Sequence, residues 1–411
     1  MKILHLDTGT GWRGGQQQVL WLMEGLRERG HQQLLLAPLD CPLREAVRLQ
    51  GCEVSALSSP ETSLANVRLL RNFSGRFDIV HAHDSRAHSL IWLAGISRGR
   101  LPWRFLVVSR RVSFPVGIFG GPKHAAADAY IAVSDSARQQ LLNANVPLKK
   151  IHIVHDGVKP PSSPLGPRER SDFRRRYGVA DGDLLLGTLT SISPEKLLKE
   201  QIDLVAVLSH TTHLWIGRPE LGEELEGQKF PDGYKRGKQR ESQRAAEADL
   251  FRYAKDRGLE HRFHILPLAS DLGGFLDSLD IFLYLSRSEG LGSAILLAMA
   301  HGLPVVANRT GGIPEIVRHL ETGLLVDGNL QEELPVAVQS LLNSQQLRLQ
   351  FGAAAREFVL RNATQDVMVA KTVDVYNKLL QGPATNPDPQ ENKRLDAAKS
   401  DRSVSVLKGK S

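Results

Sequence analysis

The sequence predicts an α/β protein of two Rossmann-like parallel-sheet domains facing each other across a cleft. Three observations predict it. Short, uninterrupted apolar runs alternate with helix-patterned segments along most of the chain, as expected of parallel strands covered on both faces. The series is broken by KPPSSPLGP at 159–167, whose four prolines and lack of periodicity read as an interdomain linker. A length of 411 residues favours two or three domains at roughly 150 residues each.

The elements follow in order. Strand-like ILHL (3–6) leads through a glycine loop to a helix over Gln16–Arg29, on which Val19, Leu22, Met23 and Leu26 share one face. Gly30 should end that helix. Six further runs continue the first domain: LLLA (34–37), EVSAL (53–57), DIVHA (78–82), FLVV (105–108), AYIAV (129–133) and HIVH (152–155). Ser134 before ARQQLL is a helix-start signal. Beyond the linker come LLLGTL (184–189), HLWIG (213–217), FHIL (263–266), DIFLYL (280–285), PVVA (304–307) and LLV (324–326). The polar stretch 218–243 is too long for an ordinary strand-to-helix connection. It reads as a projecting loop with Lys235, Arg236, Lys238 and Arg240, before a helix beginning near Ala245. Residues 381–411 carry almost no packing information and are expected to be disordered.

Composition narrows the function classes. Hydrophobic residues make up 41% and charged residues 24%, with 36 glycines and 21 prolines, which suits a folded chain rich in loops. Cys41 and Cys52 cannot make a disulfide framework, so a reducing, cytoplasmic setting is expected. MKILHLDTG does not read as a signal peptide, because its apolar stretch breaks at Asp7. No window approaches the ~18 apolar residues of a membrane span. The net charge of +7 points to anionic company: a nucleotide or phosphorylated substrate, an acidic membrane face, or nucleic acid. The basic residues are scattered and not interleaved with aromatics, which argues against nucleic acid.

Four segments could carry chemistry. In GTGWRGGQQQVLWL (9–22), Gly9, Gly11, Gly14 and Gly15 permit close backbone approach, and the helix start offers free amides to an anion. The spacing is not the dinucleotide fingerprint, and a purely structural turn is the plain alternative. HAHDSRAH (81–88) ends a central strand, where ligands of open sheets bind. There His83 with Asp84 suits acid–base or hydrogen-bonding work, and His88 suits capping or packing. His81 and His83 are read as alternating in direction and so as not sharing a metal; no metal site is expected. VVSRRVSFP (107–115) ends in Arg110 and Arg111, which suit carboxylate or phosphate. In 286–315, amides at Leu291–Ala294 could hold a diphosphate and Glu289 a hydroxyl-bearing partner, with Lys196 as the matching cation.

The glycine loop, GLRERGH, FDIVHAH, AVSDSAR, SPEK, the EG-x-G segment, AMAHGLPVVA and TGG-x-PE occur in this order over nearly residues 1–380. The series resembles the family 4 glycosyltransferases, which are retaining enzymes of the GT-B fold. The resemblance implies that residues 1–160 bind the acceptor and 161–363 bind a nucleotide-diphosphate sugar. It also implies that the helix 364–380 crosses back to the first domain. By position, Gly14 and Gly15 lie near the donor phosphate or acceptor, Lys196 contacts the diphosphate, and Glu289 meets the transferred sugar. Gly290, Leu291, Gly292 and Ser293 lie beside it, and Gly311 and Gly312 shape the neighbouring turn. No metal or bound cofactor is implied.

Three positions depart from the family pattern. Ser191 replaces an arginine on the diphosphate, Leu297 replaces a second glutamate on the ribose, and Arg110 or Arg111 replaces a histidine. The implied function is transfer of a sugar to a glycan, lipopolysaccharide or lipid-linked acceptor, at the inner face of the plasma membrane. Peripheral contact with an anionic membrane is permitted by the charge. A catalytically silent relative that binds nucleotide or glycan is the second reading, on the strength of Ser191 and Leu297.

Overall fold

The computed structural model describes residues 1–58, 63–73, 75–96, 103–113, 121–209, 211–219, 237–268 and 271–382. The first sheet contains β1 (Lys2–Leu6), β2 (Gln32–Pro38), β3 (Glu53–Leu57), β4 (Ile79–Ala82), β5 (Phe105–Arg110), β6 (Ala129–Ala132) and β7 (Ile151–Ile153). Its helices are α1 (Gly14–Glu28), α2 (Pro42–Leu49), α3 (Leu64–Asn72), α4 (Ser85–Ile96), α5 (Gly121–Ala125) and α6 (Asp135–Asn143). The second sheet contains β8 (Leu184–Leu189), β9 (Thr212–Pro219), β10 (Phe263–Leu268), β11 (Ile281–Tyr284), β12 (Val305–Asn308) and β13 (Gly323–Val326). Around it lie α7 (Pro167–Arg176), α8 (Leu198–Val207), α9 (Gly237–Lys255), α10 (Leu272–Ser278) and α11 (Ser293–Ala300). The chain ends through α12 (Ile313–Ile316), α13 (Leu330–Leu342), α14 (Gln345–Asn362) and α15 (Gln365–Gln381).

All strand pairs are parallel, in the orders β3-β2-β1-β4-β5-β6-β7 and β10-β9-β8-β11-β12-β13. This is the expected pair of Rossmann-like sheets. Each order reverses once, between β1 and β4 and between β8 and β11. At such a reversal the flanking connections leave to opposite faces and open a crevice beyond the carboxyl ends of the strands. The sequence of each domain thereby fixes where its ligand crevice lies.

Strand faces set what covers them. Ile3, Ile79, Phe105, Val107, Ala129 and Ile131 pack with Leu22 and Leu26 of α1 and with Met368, Val369, Val375 and Tyr376 of α15. The final helix therefore completes the core of the first sheet, although it follows the second in sequence. Gly25 allows the approach: a Cβ there would stand 2.7 Å from Val369 Cγ2. The outgoing and returning strands of chain also meet. The Val158 amide donates to the Ala363 carbonyl at 2.9 Å, and the Gln365 amide donates to the Val158 carbonyl at 2.9 Å.

One boundary differs from expectation. The helix placed near Ala245 begins at Gly237. GKQRESQR (237–244) lacks an apolar residue, so hydrophobic periodicity could not reveal its first two turns. The expected projection of 218–243 and the disorder of 381–411 fall mainly on 220–236 and 383–411, outside the described residues.

Candidate active site

The second-domain crevice brings Lys196 and Glu289 together. Lys196 lies in a short turn after β8, and Glu289 lies in the loop between β11 and α11. Their charged atoms, Nζ and Oε2, are 2.6 Å apart, and both side chains are 17% exposed. Lys196 also donates to Tyr284 Oη at 2.9 Å, while that hydroxyl donates to Glu289 Oε2 at 2.7 Å. Burial and the neighbouring Glu289 hold the Tyr284 phenol well above its usual range, so it remains a donor.

Gly292 opens α11 from a left-handed conformation, φ 98°, which favours glycine. Leu291 is buried beside it. A Cβ on Gly290 would run into the Arg111 carbonyl, and one on Gly312 would come 2.7 Å from Ser134 Cβ. Gly290 and Gly312 are thus places where loops of the two domains touch.

Across the cleft, a Cβ on Gly14 would lie 3.7 Å from Ser293 Oγ; within the first domain, one on Gly15 would lie 3.9 Å from Arg111 Cδ. The starts of α1 and α11 therefore face each other. Arg111 forms an ion pair with Asp156, and Asp156 Oδ2 accepts from Ser293 Oγ at 2.6 Å. The neighbouring Glu315 accepts from the Asp135 amide at 2.8 Å and lies 3.1 Å from His155 Nε2. Ser113 and Ser288 hydroxyls meet at 3.2 Å. Asp156 and Glu315 are cross-domain contacts that the sequence reading did not assign; the signals were a carboxylate in HDG just before the linker and the glutamate that ends TGG-x-PE.

The structure separates the paired arginines. Arg111 reaches the interdomain cluster, whereas Arg110 lies on the other side of the β5 end. There it acts electrostatically on Lys123 and His124, and burial lowers its own pKa. Ser191 is exposed, with its carbonyl accepting from Thr190 Oγ1 at 3.3 Å. Leu297 packs against the apolar core. His88 is buried, 3.1 Å from the Lys123 carbonyl through Nε2, and is a packing residue.

The first-domain crevice holds a histidine cluster. His5 of β1 is the register partner of His81 of β4. The expectation that His81 and His83 point in opposite directions is wrong: positions i and i+2 of an extended segment share a face. Their ring centroids are 4.1 Å apart. Nitrogens of His5, His81 and His83 lie within 4.8 Å of one another. All of these ring nitrogens except His83 Nδ1 already serve hydrogen-bond partners. His81 bonds Tyr376 Oη at 2.6 Å and Ser109 Oγ at 2.8 Å. His5 bonds Gln33 Oε1 at 3.1 Å and His83 Nε2 at 2.9 Å. Five of the six ring nitrogens are engaged in hydrogen bonds and only His83 Nδ1 is left, so there is no set of three free donors for a metal ion. Burial drives His5 down to about 3 and holds His81 and His83 well below their usual range, with neighbouring histidines and Arg111 adding to the shift in His81 and His83. All three rings are neutral at pH 7.

Asp7, the residue after β1, is a further group not assigned from sequence. It accepts from the Gly9 amide at 2.8 Å and from Gln16 Nε2 at 3.2 Å, which shapes the glycine loop. Burial, reinforced by nearby Asp84, pushes it up to about 6. Asp84 accepts from the Thr8 amide at 2.6 Å and the Thr8 hydroxyl at 2.8 Å.

These two crevices, facing one another at the carboxyl ends of two parallel sheets, define a GT-B glycosyltransferase. The fold matches that of the Anabaena protein HepE, solved in complex with UDP and glucose, over 92% of this chain and 100% of that one. The TM-score is 0.76 and the identity 19%. Residues 13–157 match the glycosyl transferase 4-like domain and residues 169–358 match glycosyl transferases group 1, and the chain belongs to this glycosyltransferase family. The N-acetyl-alpha-D-glucosaminyl L-malate synthase of Bacillus anthracis is 22% identical over 314 residues, covering 74% of this chain and 75% of that protein. The GDP-mannose-dependent alpha-mannosyltransferase of Mycobacterium tuberculosis is 24% identical over 375 residues, covering 84% and 88%. No helix among the described residues is long and apolar enough to cross a membrane.

Proposed function

We propose that the protein transfers a sugar, with retention of configuration, from a nucleotide-diphosphate sugar to a glycan, lipopolysaccharide or glycolipid acceptor. The observation that carries this reading is the convergence of Lys196, Glu289 and the start of α11 at the β8/β11 reversal. Residues 161–363 bind the donor, residues 1–160 bind the acceptor, and the helix at 364–380 ties the two. Lys196 and the amides of 291–294 neutralise the diphosphate, a task that preorganised charge and dipoles perform without reorganisation cost. An ammonium has three donor hydrogens, so Lys196 can hold phosphate while keeping Glu289 in place. Glu289 orients the transferred sugar beside Gly290, Leu291, Gly292 and Ser293. The bond from the anomeric carbon to phosphate oxygen breaks, the bond to the acceptor oxygen forms, and the acceptor proton passes to the departing phosphate. No metal takes part. Arg111 and His83, with Gly14 and Gly15, line the facing wall.

A silent, nucleotide- or glycan-binding relative is the second reading. Its support is that Ser191 offers no cation and Leu297 lies against apolar core. The two free cysteines, Cys41 and Cys52, support a place in the cytoplasm, and the basic balance of the chain permits peripheral contact with an anionic inner membrane face. Incubation with a broad panel of nucleotide sugars in EDTA, followed by assay of released nucleoside diphosphate, tests the transferase reading. Release from one donor supports it; release that requires added magnesium contradicts the metal-free mechanism.

A further inference from the structure

The hydrogen bonds around His83 have a direction that can be read from chemistry alone. Gln33 Nε2 donates to the Met23 carbonyl at 2.9 Å, and a carbonyl can only accept. The other end of the same amide, Oε1, therefore faces His5 Nε2 at 3.1 Å, so this nitrogen carries the hydrogen. A neutral imidazole has one N–H, which leaves His5 Nδ1 bare. His5 Nδ1 lies 2.9 Å from His83 Nε2, so the latter must donate. His83 then has a bare Nδ1, and this buried atom has no hydrogen-bond partner among the described residues. His83 itself is 5% exposed.

We propose that Gln33 and His5 fix His83 in the Nε2–H tautomer so that its Nδ1 lone pair accepts a hydrogen bond from a substrate hydroxyl. The nature of the ligand rests on the glycosyltransferase reading; the tautomer assignment does not. Gln33 and His5 act as positioning residues. Two features support a ligand role. An unsatisfied buried acceptor costs about 1–3 kcal/mol and calls for a partner. The atom also belongs to the crevice at the β1/β4 reversal, close enough to Arg111 to feel its charge. The atom is buried, so a hydroxyl reaches it only after neighbouring groups move. The Tyr376–His81–Ser109 chain beside it ends in rotatable hydroxyls and imposes no such polarity.

Long-range proton–nitrogen spectra of the full chain carrying 15N-histidine test the relay, with His5→Gln and His83→Gln used for assignment. The wild type should show hydrogen on Nε2 of both rings. Gln33→Met should populate His83 with hydrogen on Nδ1, and Gln33→Glu, which still accepts from His5, should restore the original tautomer. Hydrogen on His83 Nδ1 in the wild type, or a Gln33→Met tautomer unchanged, overturns the proposal. A second arm follows the His83 Nδ1 resonance with UDP-glucose or GDP-mannose, each with and without methyl α-glucoside. Movement with the nucleotide sugar and not with UDP or GDP assigns the hydroxyl to the transferred sugar; movement that needs the glucoside assigns it to the acceptor. Nucleotide-sugar binding with no movement in either case overturns the ligand role. If no nucleotide sugar binds, the transferase reading fails, while the tautomer comparison still decides the relay. With a working donor, Gln33→Met should raise the KM of the substrate concerned about tenfold, with rescue by Gln33→Glu.

Discussion

Lys196 Nζ stands 2.6 Å from Glu289 Oε2, linking the end of β8 to the loop after β11. The pair spans the reversal of the second sheet, and Tyr284 holds both partners from below. A cation and a carboxylate held this way can bind opposite ends of one ligand, phosphate and sugar.

Replacing Lys196 by alanine should weaken nucleotide-sugar binding roughly tenfold to a hundredfold, the range for losing one hydrogen bond to a charged group. It also leaves Glu289 without its cation. Calorimetric titration of donor into both proteins measures the difference. Unchanged affinity would remove Lys196 from the site.

Asp156 joins Arg111 of the first domain to Ser293 of the second. The side chains are 18% and 7% exposed for Arg111 and Asp156, so removing the carboxylate strands a largely buried charge. Asp156→Ala should destabilise the protein by about 3–5 kcal/mol. Denaturant unfolding checks it, and a loss within about 0.5 kcal/mol would show that the pair is a solvated surface contact.

Gly290→Ala would push a methyl group into the Arg111 carbonyl, whereas Gly14→Ala would place one at 3.7 Å from Ser293 Oγ, an ordinary contact. The first change should hold the domains apart and raise the radius of gyration in solution scattering; the second should leave it unaltered. Equal behaviour of the two variants would contradict the closed packing described here.

Asp7 titrates at about 6 in the folded chain, above its ordinary value of about 3.9. The folded state then binds this proton more tightly than the unfolded state. Stability from this group is full below about pH 3.9 and falls as pH rises to about 6. Asparagine keeps an acceptor for the Gly9 amide and carries no charge. Asp7→Asn should therefore match the wild type near pH 4 and exceed it by about 1–3 kcal/mol at pH 7. Unfolding curves across this range decide it. A difference that does not grow with pH would show that Asp7 ionises as it would in water.

The thirteen strands were legible because strands covered on both faces are written as continuous apolar runs, as in FLVV and DIFLYL. Lys196 and Glu289 were legible because each follows such a run by a few residues. The Arg111–Asp156–Ser293 bridge was not, since it depends on how three separate loops approach when the domains close. The orientation of His81 and His83 was available from period-two geometry and was misread. The relay from Gln33 through His5 lies across three neighbouring strands, and only their register reveals it.

The central claim is that the Lys196 crevice binds a nucleotide sugar without metal. Thermal unfolding of the wild type and Lys196→Ala, in EDTA, with a broad panel of nucleotide sugars tests it most directly. A ligand present at 100 times its Kd stabilises the folded state by about 2.7 kcal/mol. The account predicts that at least one nucleotide sugar raises the wild-type melting temperature and that Lys196→Ala loses most of the rise. No shift with any member of the panel, or an equal shift in both proteins, would contradict it.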